Sequence, residues 1–592
     1  MRGRARSARR GARGREKPRP GEGVRLALYQ GLFAAAAEEM GATLMRTAHS
    51  PNIKERLDHS CAVFDPRGRL VAQAAHIPVH LGSLPRAVEA ALELGPFRDG
   101  DTVMLNDPFA GGTHLPDLTL VSPVLLTRSG SPDFFVATRA HHADIGGAAP
   151  GSMPLAREVY EEGLRIPPVF LARAGRPVPD VLRLLLANVR TPDERRADLD
   201  AQLGAQATGA RRLGEWARRR GAAELRRAAA LLMDHAERCV RAAIGELPRG
   251  TFRFEDALDD DGLTPEPVRI AATLTIGADR VRVDFTGSSP QTAGPVNAVE
   301  PVTRAAASYA LRCVLGGDFP VNDGAFRPIE VIAPRGTVVN PLPPAAVSAG
   351  NVETSQRIVD VVLGALAQAL PDRVPAASYG TMSNLLIGGT EPLSGRPFAY
   401  YETLAGGHGA GPGWHGASAM QGHMTNTRNT PIESLEHAYP IRVLATRIRR
   451  GSGGQGRFRG GDGIERVVEL LARSRVTVIS DRRSRGPYGL QGGAAGRPGE
   501  NLVQERRDAA PRLMPGKFQI DLREGAVLTV ASPGGGGFGA PRVRPLQAAD
   551  KAEDENSGGT HTARGSGFVG SLLQRASAMR RVPANPGSRK RK

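Results

Sequence analysis

Two strand-like runs inside residues 106–151 constrain the fold of this chain more than any other feature. They cover residues 118–126 and 134–140 and are rich in apolar, β-branched and aromatic residues. The segment between them, residues 127–133, contains a glycine and a proline, which favour a chain reversal. The runs therefore predict an antiparallel β-hairpin, and the rest of the fold has to be built around the sheet to which it belongs.

The hairpin brings together side chains that bind metal ions. Three histidines and three aspartates lie in or beside it: His114, His141, His142, Asp107, Asp117 and Asp144. With the turn centred near residue 130, the numbers of paired residues add up to about 259. This register places Asp117 opposite His142 and Leu118 opposite His141, with a margin of one or two residues.

Two imidazoles and one carboxylate are a suitable ligand set for a divalent Zn, Mn or Fe ion. Because neighbouring residues of a strand point to opposite faces, only one of His141 and His142 is expected to bind the ion directly. The other would orient a neighbour or line the pocket, and Asp144 would hold a ligating imidazole in place. Residue spacing alone leaves two alternatives open, a hydrogen-bonded polar cluster and an acid/base site without a metal.

A second polar set precedes the hairpin, and any of its members could reach the same pocket. The set consists of Asp58, His59, His76 and His80. Residues 75–82, which contain two of these histidines, are predicted to form a loop. A purely structural role for these histidines is the alternative.

Changes in periodicity indicate a multi-domain α+β protein. Its parts are a mixed α/β N-terminal part at 25–177, a helical segment at 178–250, an α/β part at 251–379, and a β-rich, glycine-rich C-terminal part at 380–540. The glycines of the C-terminal part predict short strands joined by many tight turns. Two basic, low-complexity tails, 1–24 and 541–592, are predicted to be disordered.

The formal net charge of +18 resides mainly in the two tails. Residues 1–25 carry +8 and residues 541–592 carry +7, which leaves about +3 for the body of the chain. A nearly neutral body makes nucleic acid an unexpected partner, because nucleic-acid binding needs a basic surface. A scaffold or weak nucleic-acid binder that uses its basic tails is the alternative from a different functional class.

Cysteine usage and hydropathy further limit the kinds of protein that this chain can be. The three cysteines form no CxxC pair, which favours a reducing cytoplasm and excludes a cysteine-based zinc site. No run of about 18 apolar residues occurs, so no membrane span is expected. The phosphate-binding motif GxxxxGK[ST] is also missing, because Lys517 is followed by Phe518, so this chain is not expected to bind ATP.

Long motifs throughout the body resemble those of the hydantoinase B/oxoprolinase family. They include SPNIKERLDHSCAVFDPRGRL at 50–70, NDPFAGGTHLPDLTLVSPV at 106–124, RAHHADIGGAAPGSMP at 139–154 and EVYEEGLRIPPV at 158–169. Further motifs are GNVETSQRIVD at 350–360, HMTNTRNTPIESLE at 423–436 and SPGGGGFG at 532–539. The resemblance covers roughly residues 25–540 and leaves out both tails.

The resemblance implies a function. Similar proteins are B subunits of ATP-dependent hydantoinases or the C-terminal half of 5-oxoprolinase, and they open a lactam or hydantoin ring. It further implies a hetero-oligomer with an actin-like A subunit, an ATPase that binds the ATP and phosphorylates the ring carbonyl. Related acetone and acetophenone carboxylases imply the alternative of a carboxylase large subunit, although HHAD at 141–144 is closer to the hydantoinase branch.

The resemblance also bears on the site. Its motif pattern implies that three residues bind a divalent Mn, Zn or Fe ion: His114, Asp117 and His141. The polar residues around them that are expected to take part in catalysis are Asp58, Asp107, His142 and Asp144.

Overall fold

The computed structural model describes residues 22–541 except residues 75 and 318. It shows a multi-domain α+β protein, as predicted. The predicted tails, 1–24 and 541–592, lie almost wholly outside the described residues. Within the described range, no helix has the length and apolar character needed to cross a membrane.

The N-terminal part is built on a seven-stranded antiparallel sheet. Its strands are β1 (His59–Phe64), β2 (Leu70–Gln73), β3 (Thr102–Leu105), β4 (Asp117–Val124), β5 (Phe134–His141), β6 (Val169–Arg173) and β7 (Arg176–Pro177). In space they follow the order β2-β1-β5-β4-β3-β6-β7. The pairing of β4 with β5 confirms the predicted hairpin and places it at the centre of the sheet.

Helices cover both faces of this sheet. The helices of this part and of the predicted helical segment that follows it are α1 (Glu22–Thr47), α2 (Pro51–Lys54), α3 (Pro78–Leu81), α4 (Leu84–Leu92), α5 (Val159–Glu162), α6 (Pro179–Ala187), α7 (Pro192–Arg220) and α8 (Ala222–Gly245). Apolar residues of α1, α7 and α8 share one core with Cys61 and Val63 of β1. Those of α4 share another core with Ala62 and Phe64, because side chains of a strand alternate between faces. The predicted boundary between residues 177 and 178 stays a prediction.

A second sheet, of four strands, follows α8. Its strands are β8 (Gly250–Leu258), β9 (Val268–Ile276), β10 (Val281–Asp284) and β11 (Ile329–Ile332), in the order β11-β10-β9-β8. The helices of this part are α9 (Glu300–Leu315), α10 (Asp323–Phe326) and α11 (Ser355–Ala369), and a π-helical turn, Gly350–Thr354, leads into α11. The core around α9 and α11 also contains Leu115 and Leu118, so it joins the second sheet to the hairpin of the first.

Two further sheets make up the C-terminal part, in agreement with its predicted β content. Their strands are β12 (Asn384–Thr390), β13 (Pro397–Thr403), β14 (Ile441–Arg449), β15 (Gly463–Leu470), β16 (Ser474–Ile479), β17 (Glu500–Gln504), β18 (Arg512–Met514), β19 (Lys517–Leu522) and β20 (Val527–Ala531), with helix α12 (Ile432–Ala438). The sheets have the orders β13-β12-β16-β19 and β14-β15-β20-β17-β18. They share one core, to which Ile387, Val478 and Leu528 belong.

The glycine-rich segments of the C-terminal part pack backbone against backbone. The N–H of Gly535 donates to the carbonyl of Gly461 at 2.9 Å, and the carbonyl of Gly535 accepts from the N–H of Gly454 at 2.8 Å. A Cβ atom at residue 535 would lie 2.0 Å from the carbonyl oxygen of His408. The predicted tight turns therefore describe these segments only in part, since glycines such as Gly535 are required for the close approach of two backbones.

Candidate metal centre

The hairpin of β4 and β5 places Asp117 and His141 side by side. These two residues are directly paired, as are Leu118 and Ala140, so the register is shifted by one residue from the predicted one. The shift lies within the predicted margin, but it decides which histidine accompanies Asp117. Because paired residues point to the same face of a sheet, His141 lies on the face of Asp117, whereas the adjacent His142 points away.

His114, Asp117 and His141 form a possible metal-binding triad. One ligand atom from each residue lies within 4.8 Å of the other two, and all three residues are buried. Nε2 of His114 lies 3.3 Å from Oδ1 of Asp117. Nδ1 of His141 lies 3.5 Å from the same oxygen. The fold thus brings the three predicted metal ligands to one point.

The contacts of His114 show which of its nitrogens faces the site. Its Nδ1 lies 3.2 Å from the carbonyl oxygen of Ser348, to which an imidazole N–H donates. The lone pair of Nε2 then points at Oδ1 of Asp117, and neither atom makes a hydrogen bond with any described residue. Two buried acceptors that face each other need a cation or a proton between them. The arrangement fits a divalent ion, because metal-binding histidines donate their second ring N–H to a carbonyl or carboxylate.

His80 holds the second carboxylate oxygen of Asp117. Its Nε2 lies 3.3 Å from Oδ2 of Asp117, and Oδ2 also accepts a 2.5 Å hydrogen bond from the hydroxyl of Thr113. Nδ1 of His80 lies 2.9 Å from the Ser60 hydroxyl, which can donate to it while Nε2–H faces the carboxylate. The prediction of a plain loop at 75–82 was wrong in part, because α3 forms there and carries His80 into the site.

Tyr401 and Arg56 support His141, and neither was predicted as a site residue. The Tyr401 ring stacks on the His141 imidazole, with the centroids 4.6 Å apart and the planes inclined by 20°. The guanidinium of Arg56 lies over the Tyr401 ring, 4.5 Å from its centroid, and donates to the Tyr401 carbonyl at 2.7 Å. The Tyr401 hydroxyl donates to Asn384 at 2.9 Å. Tyr401 belongs to β13, far along the chain from His141, so no local pattern pointed to this contact.

Burial and charge oppose each other at the triad. Burial alone would raise the pKa of Asp117, but the charges of His114 and His80 hold it well below 3.8. Burial would likewise lower the pKa of His114, but its interactions with Asp117 and Ser348 outweigh burial and leave the pKa above 6.5. Burial prevails at His141 and lowers its pKa. The triad's own groups therefore combine an anionic Asp117 with a His114 that binds a proton readily and a neutral His141.

Affinity for a divalent ion is expected to rise with pH through the range in which His114 loses its proton. Because the pKa of His114 lies above 6.5, an ion that binds near that pH has to displace a proton, whereas above the raised pKa it does not. Calorimetric titration with Mn²⁺ or Zn²⁺ between about pH 6 and about pH 8.5, in two buffers of different ionisation enthalpy, measures both affinity and proton release. An affinity that does not change with pH, without proton release, would contradict His114 as a ligand.

Asp58 lies in the cavity beside the triad. Its carbonyl accepts a 3.0 Å hydrogen bond from the N–H of His141. The cavity has a volume of about 20 Å³, the room of roughly one water molecule. The residues that line it, most of them apolar or neutral, are Asp58, Ile77, Val79, His80, Asp117, His141, Asn351, Val352, Met382, Tyr401, Thr403, Met424 and Thr425. Asp58 and His80 are thus the members of the second polar set that line this cavity.

Asp107 and Asp144 are held by contacts outside the triad. Oδ1 of Asp107 accepts from the N–H of Phe109 at 3.0 Å and caps a short 3₁₀ turn. Oδ2 of Asp107 lies 3.2 Å from Nε of Arg165. Asp144 accepts from the guanidinium and the backbone N–H of Arg190 at 2.7 and 2.8 Å. The structure places both carboxylates in loop-holding contacts and does not bring them together with the triad.

The remaining predicted histidines also lie outside the triad. Nε2 of His142 lies 3.0 Å from Oε1 of Gln202 on α7. Burial lowers the pKa of His142 to about 4, so its imidazole is neutral at physiological pH. His59 and His76 pack edge to face, with ring centroids 4.8 Å apart. Each of these three imidazoles thus contacts a neighbour outside the triad.

Comparison with known proteins assigns the chain to a family. The sequence model of the family described as hydantoinase B/oxoprolinase matches residues 22–541. The chain belongs to the hydantoinase B/oxoprolinase family. The match confirms the resemblance seen in the motifs and covers the whole described range.

Relatives of this hydantoinase B/oxoprolinase chain differ in length. An uncharacterized protein of Methanocaldococcus jannaschii is 41% identical over 86% of this chain and 89% of its own length. The 5-oxoprolinase 1 of Arabidopsis thaliana is 38% identical over 87% of this chain, but this chain spans only 42% of that protein. A protein of Pseudomonas sp. (strain NS671), named provisionally as the B subunit of a D-/L-hydantoinase, is 32% identical over 87% of this chain and 89% of its own length.

Two solved structures are similar to this hydantoinase B/oxoprolinase member. The ATP-dependent caprolactamase from Pseudomonas jessenii superposes with a TM-score of 0.82 at 28% identity, over 88% of this chain and 92% of the other. Nucleotide-free acetone carboxylase superposes with a TM-score of 0.81 at 20% identity, over 88% and 76% of the two chains. The caprolactamase is thus similar in sequence and in fold, whereas the acetone carboxylase match shows the fold alone.

Proposed function

We propose that this chain is the catalytic B subunit of an ATP-dependent cyclic amide hydrolase, of the hydantoinase/5-oxoprolinase type, that opens a lactam or hydantoin ring. The observation that carries the proposal is the buried set of His114, Asp117 and His141 in a member of this family. Among its relatives, a 5-oxoprolinase and a caprolactamase bear the names of cyclic amide substrates. These names support cyclic amides as the substrate class.

In this proposal the ATP is held by an A-type ATPase partner, which activates the ring. An unactivated lactam carbonyl is a weak electrophile, and transfer of the terminal phosphoryl group of ATP to its oxygen creates a leaving group. Water then adds to the ring carbon, the C–N bond breaks, and phosphate is released by a second water molecule. One ATP and two water molecules are consumed for each ring, and ADP, phosphate and an open-chain acid result. A relative that is named as a B subunit supports a hetero-oligomer.

In this proposal the side chains of the site have different roles. His114, Asp117 and His141 would hold a divalent Mn, Zn or Fe ion, which when bound supplies positive charge that activates water or polarises a carbonyl. The Asp58 carboxylate, in the same cavity, accepts the proton of the attacking water. His80 keeps the Asp117 carboxylate in its orientation. Each of these roles concerns a side chain that lines the cavity or touches one that does.

We assign supporting roles to Asp107, His142 and Asp144. Each of them is engaged by a neighbouring backbone or side chain outside the triad. They would hold the loops and the strand end that carry the ligands, so that substitutions would act through the position of the triad. A reducing cytoplasm agrees with the free thiols of Cys61, Cys239 and Cys313 in this proposal.

Co-expression with an A-type ATPase partner is expected to give a complex that opens rings in an ATP-dependent manner. Hydantoin, N-methylhydantoin and 5-oxoproline are the test compounds, and ADP and the open-chain product are measured together with the metal content. In the matched variant His114→Ala the complex is expected to assemble but to lose its metal and about 10³-fold in turnover, because the charge that activates the water is missing.

Two outcomes would contradict the proposal in different ways. A complex that consumes ATP and transfers bicarbonate to acetone or acetophenone, without opening any ring, would favour the carboxylase branch. Full metal content in the folded His114→Ala complex would instead remove His114 from the ligand set while leaving the reaction type open.

A further inference from the structure

Asn351 is a cavity residue whose side-chain oxygen has no hydrogen-bond partner among the described residues. It lies on the π-helical turn Gly350–Thr354 and lines the same cavity as Asp58, Asp117 and His141. Only 4% of its surface is exposed, and its Oδ1 has no hydrogen-bond partner within the described part of the chain. An unsatisfied buried amide oxygen costs about 1–3 kcal/mol. π-Helical turns are rare and occur frequently at functional sites.

The hydroxyl groups of the cavity wall already have partners. The hydroxyl of Thr427 lies 2.8 Å from the hydroxyl of Thr403 and 3.2 Å from the hydroxyl of Thr425. The Tyr401 hydroxyl donates to Asn384. Most of the remaining lining residues are apolar or belong to the site already described. Among the described lining residues outside the triad, Asn351 is therefore the neutral one whose hydrogen-bonding capacity is left for a bound molecule.

The backbone that carries Asn351 is held rigidly and is coupled to the triad. A Cβ atom at Gly350 would lie 1.9 Å from the carbonyl oxygen of Asn297, so the turn is packed tightly against its neighbour. Just upstream, the N–H groups of Val347 and Ser348 both donate to Glu162 at 2.8 Å. The carbonyl of Ser348 in turn accepts from His114. One short segment thus orients a triad histidine and carries Asn351, which lines the same cavity.

We infer that Asn351 is a specificity-determining residue, whose side-chain oxygen accepts a hydrogen bond from the ring N–H of a cyclic amide. The inference rests on the proposed function, and it deepens that function by selecting rings with an unsubstituted amide nitrogen. A primary amide matches the polar edge of a lactam, because each carries a carbonyl acceptor and an N–H donor. The cavity has to widen for the ring to enter, and the flexible side chains of Met382 and Met424 line it.

The test compares two lactams that differ only in the ring N–H. The co-expressed complex is titrated with 2-pyrrolidone and with N-methyl-2-pyrrolidone, and ligand-observed NMR gives both dissociation constants. The wild-type complex is expected to favour 2-pyrrolidone by at least about tenfold. In Asn351→Ala, which removes the acceptor and leaves room for the methyl group, the ratio is expected to fall to near one. In Asn351→Asp, which keeps an acceptor, the preference is expected to return.

A matched control and two readouts keep the outcomes separate. Thr425→Val alters the same cavity at a hydroxyl that is already bonded, and it is expected to keep the preference for 2-pyrrolidone. Metal content and melting temperature show that each variant is folded and loaded. An unchanged preference in Asn351→Ala would overturn the inference alone. A wild-type complex that neither binds these lactams nor opens any test ring would overturn the proposed function, and the inference with it.

Discussion

Replacing His141 with alanine is expected to lower the affinity for a divalent ion by more than about 100-fold, because the loss of a direct ligand exceeds the effect of losing a residue behind it. Replacing the adjacent His142 with glutamine is expected to leave the metal content unchanged. The two residues are neighbours in sequence, but Asp117 pairs with His141, and His142 instead contacts Gln202 on α7. The contrast follows from strand geometry, which sends consecutive side chains to opposite faces.

Metal content is measured by elemental analysis after dialysis against Mn²⁺ or Zn²⁺, and thermal unfolding shows that both variants are folded. His142→Gln retains a side chain that can donate to Gln202, so it preserves the contact with α7 while removing the imidazole. Loss of metal in His142→Gln together with retention in His141→Ala would reverse the assignment. It would imply that the chain binds its ion with the predicted hairpin register rather than the one described.

Replacing Gly535 with alanine is expected to destabilise the C-terminal part by about 3 kcal/mol, at the upper end of the range for overpacking. The added Cβ would lie 2.0 Å from the carbonyl oxygen of His408 and 2.2 Å from its carbonyl carbon. Neither backbone can move away freely, because Gly535 is hydrogen-bonded on both sides, to Gly454 and Gly461. The cost arises from backbone contact, since nothing about the φ angle at residue 535 requires glycine.

Gly204→Ala provides the matched control. Gly204 lies on the exposed side of α7, and a Cβ atom there would meet nothing within 4 Å. Alanine is favoured over glycine inside a helix by about 1 kcal/mol, so this variant is expected to be slightly more stable than the parent protein. Denaturant unfolding followed by circular dichroism compares the two. Equal stability of Gly535→Ala and the parent protein would show that the glycine segments are not packed backbone against backbone in solution.

At this site the sequence predicts the hairpin but not its exact register. Residues 118–126 and 134–140 are apolar and β-branched over enough length to predict two strands, and the turn residues between them predict their pairing. Structure confirmed both strands and brought His114, Asp117 and His141 together. The register was predictable only to within one or two residues, because the seven-residue connection does not select a single turn geometry.

The supporting residues that the sequence does not point to were missed for one physical reason. Tyr401 stacks on His141 from β13, and Asn351 lines the cavity from a π-helical turn. Neither residue lies in a cluster of chemically distinctive side chains, and all four strands of the second sheet lie between the hairpin and each of them along the chain. The sequence does place His80 among the residues that could reach the pocket, but its contact with Asp117 depends on the short helix α3, which forms where the sequence predicts a loop.

The sequence by itself determined the family, the α+β class and the hairpin, and its motif pattern pointed to His114, Asp117 and His141 as candidate ligands. Runs of apolar residues, turn residues and long motifs are local properties of the sequence, so they can be recognised without knowing how the chain packs. Only the tertiary structure set the register that pairs Asp117 with His141, brought Tyr401, Arg56 and His80 against the site, and showed that the C-terminal glycines let backbones pack closely together. These outcomes depend on register and on contacts between distant segments, where a shift of one residue turns every side chain of a strand to the other face.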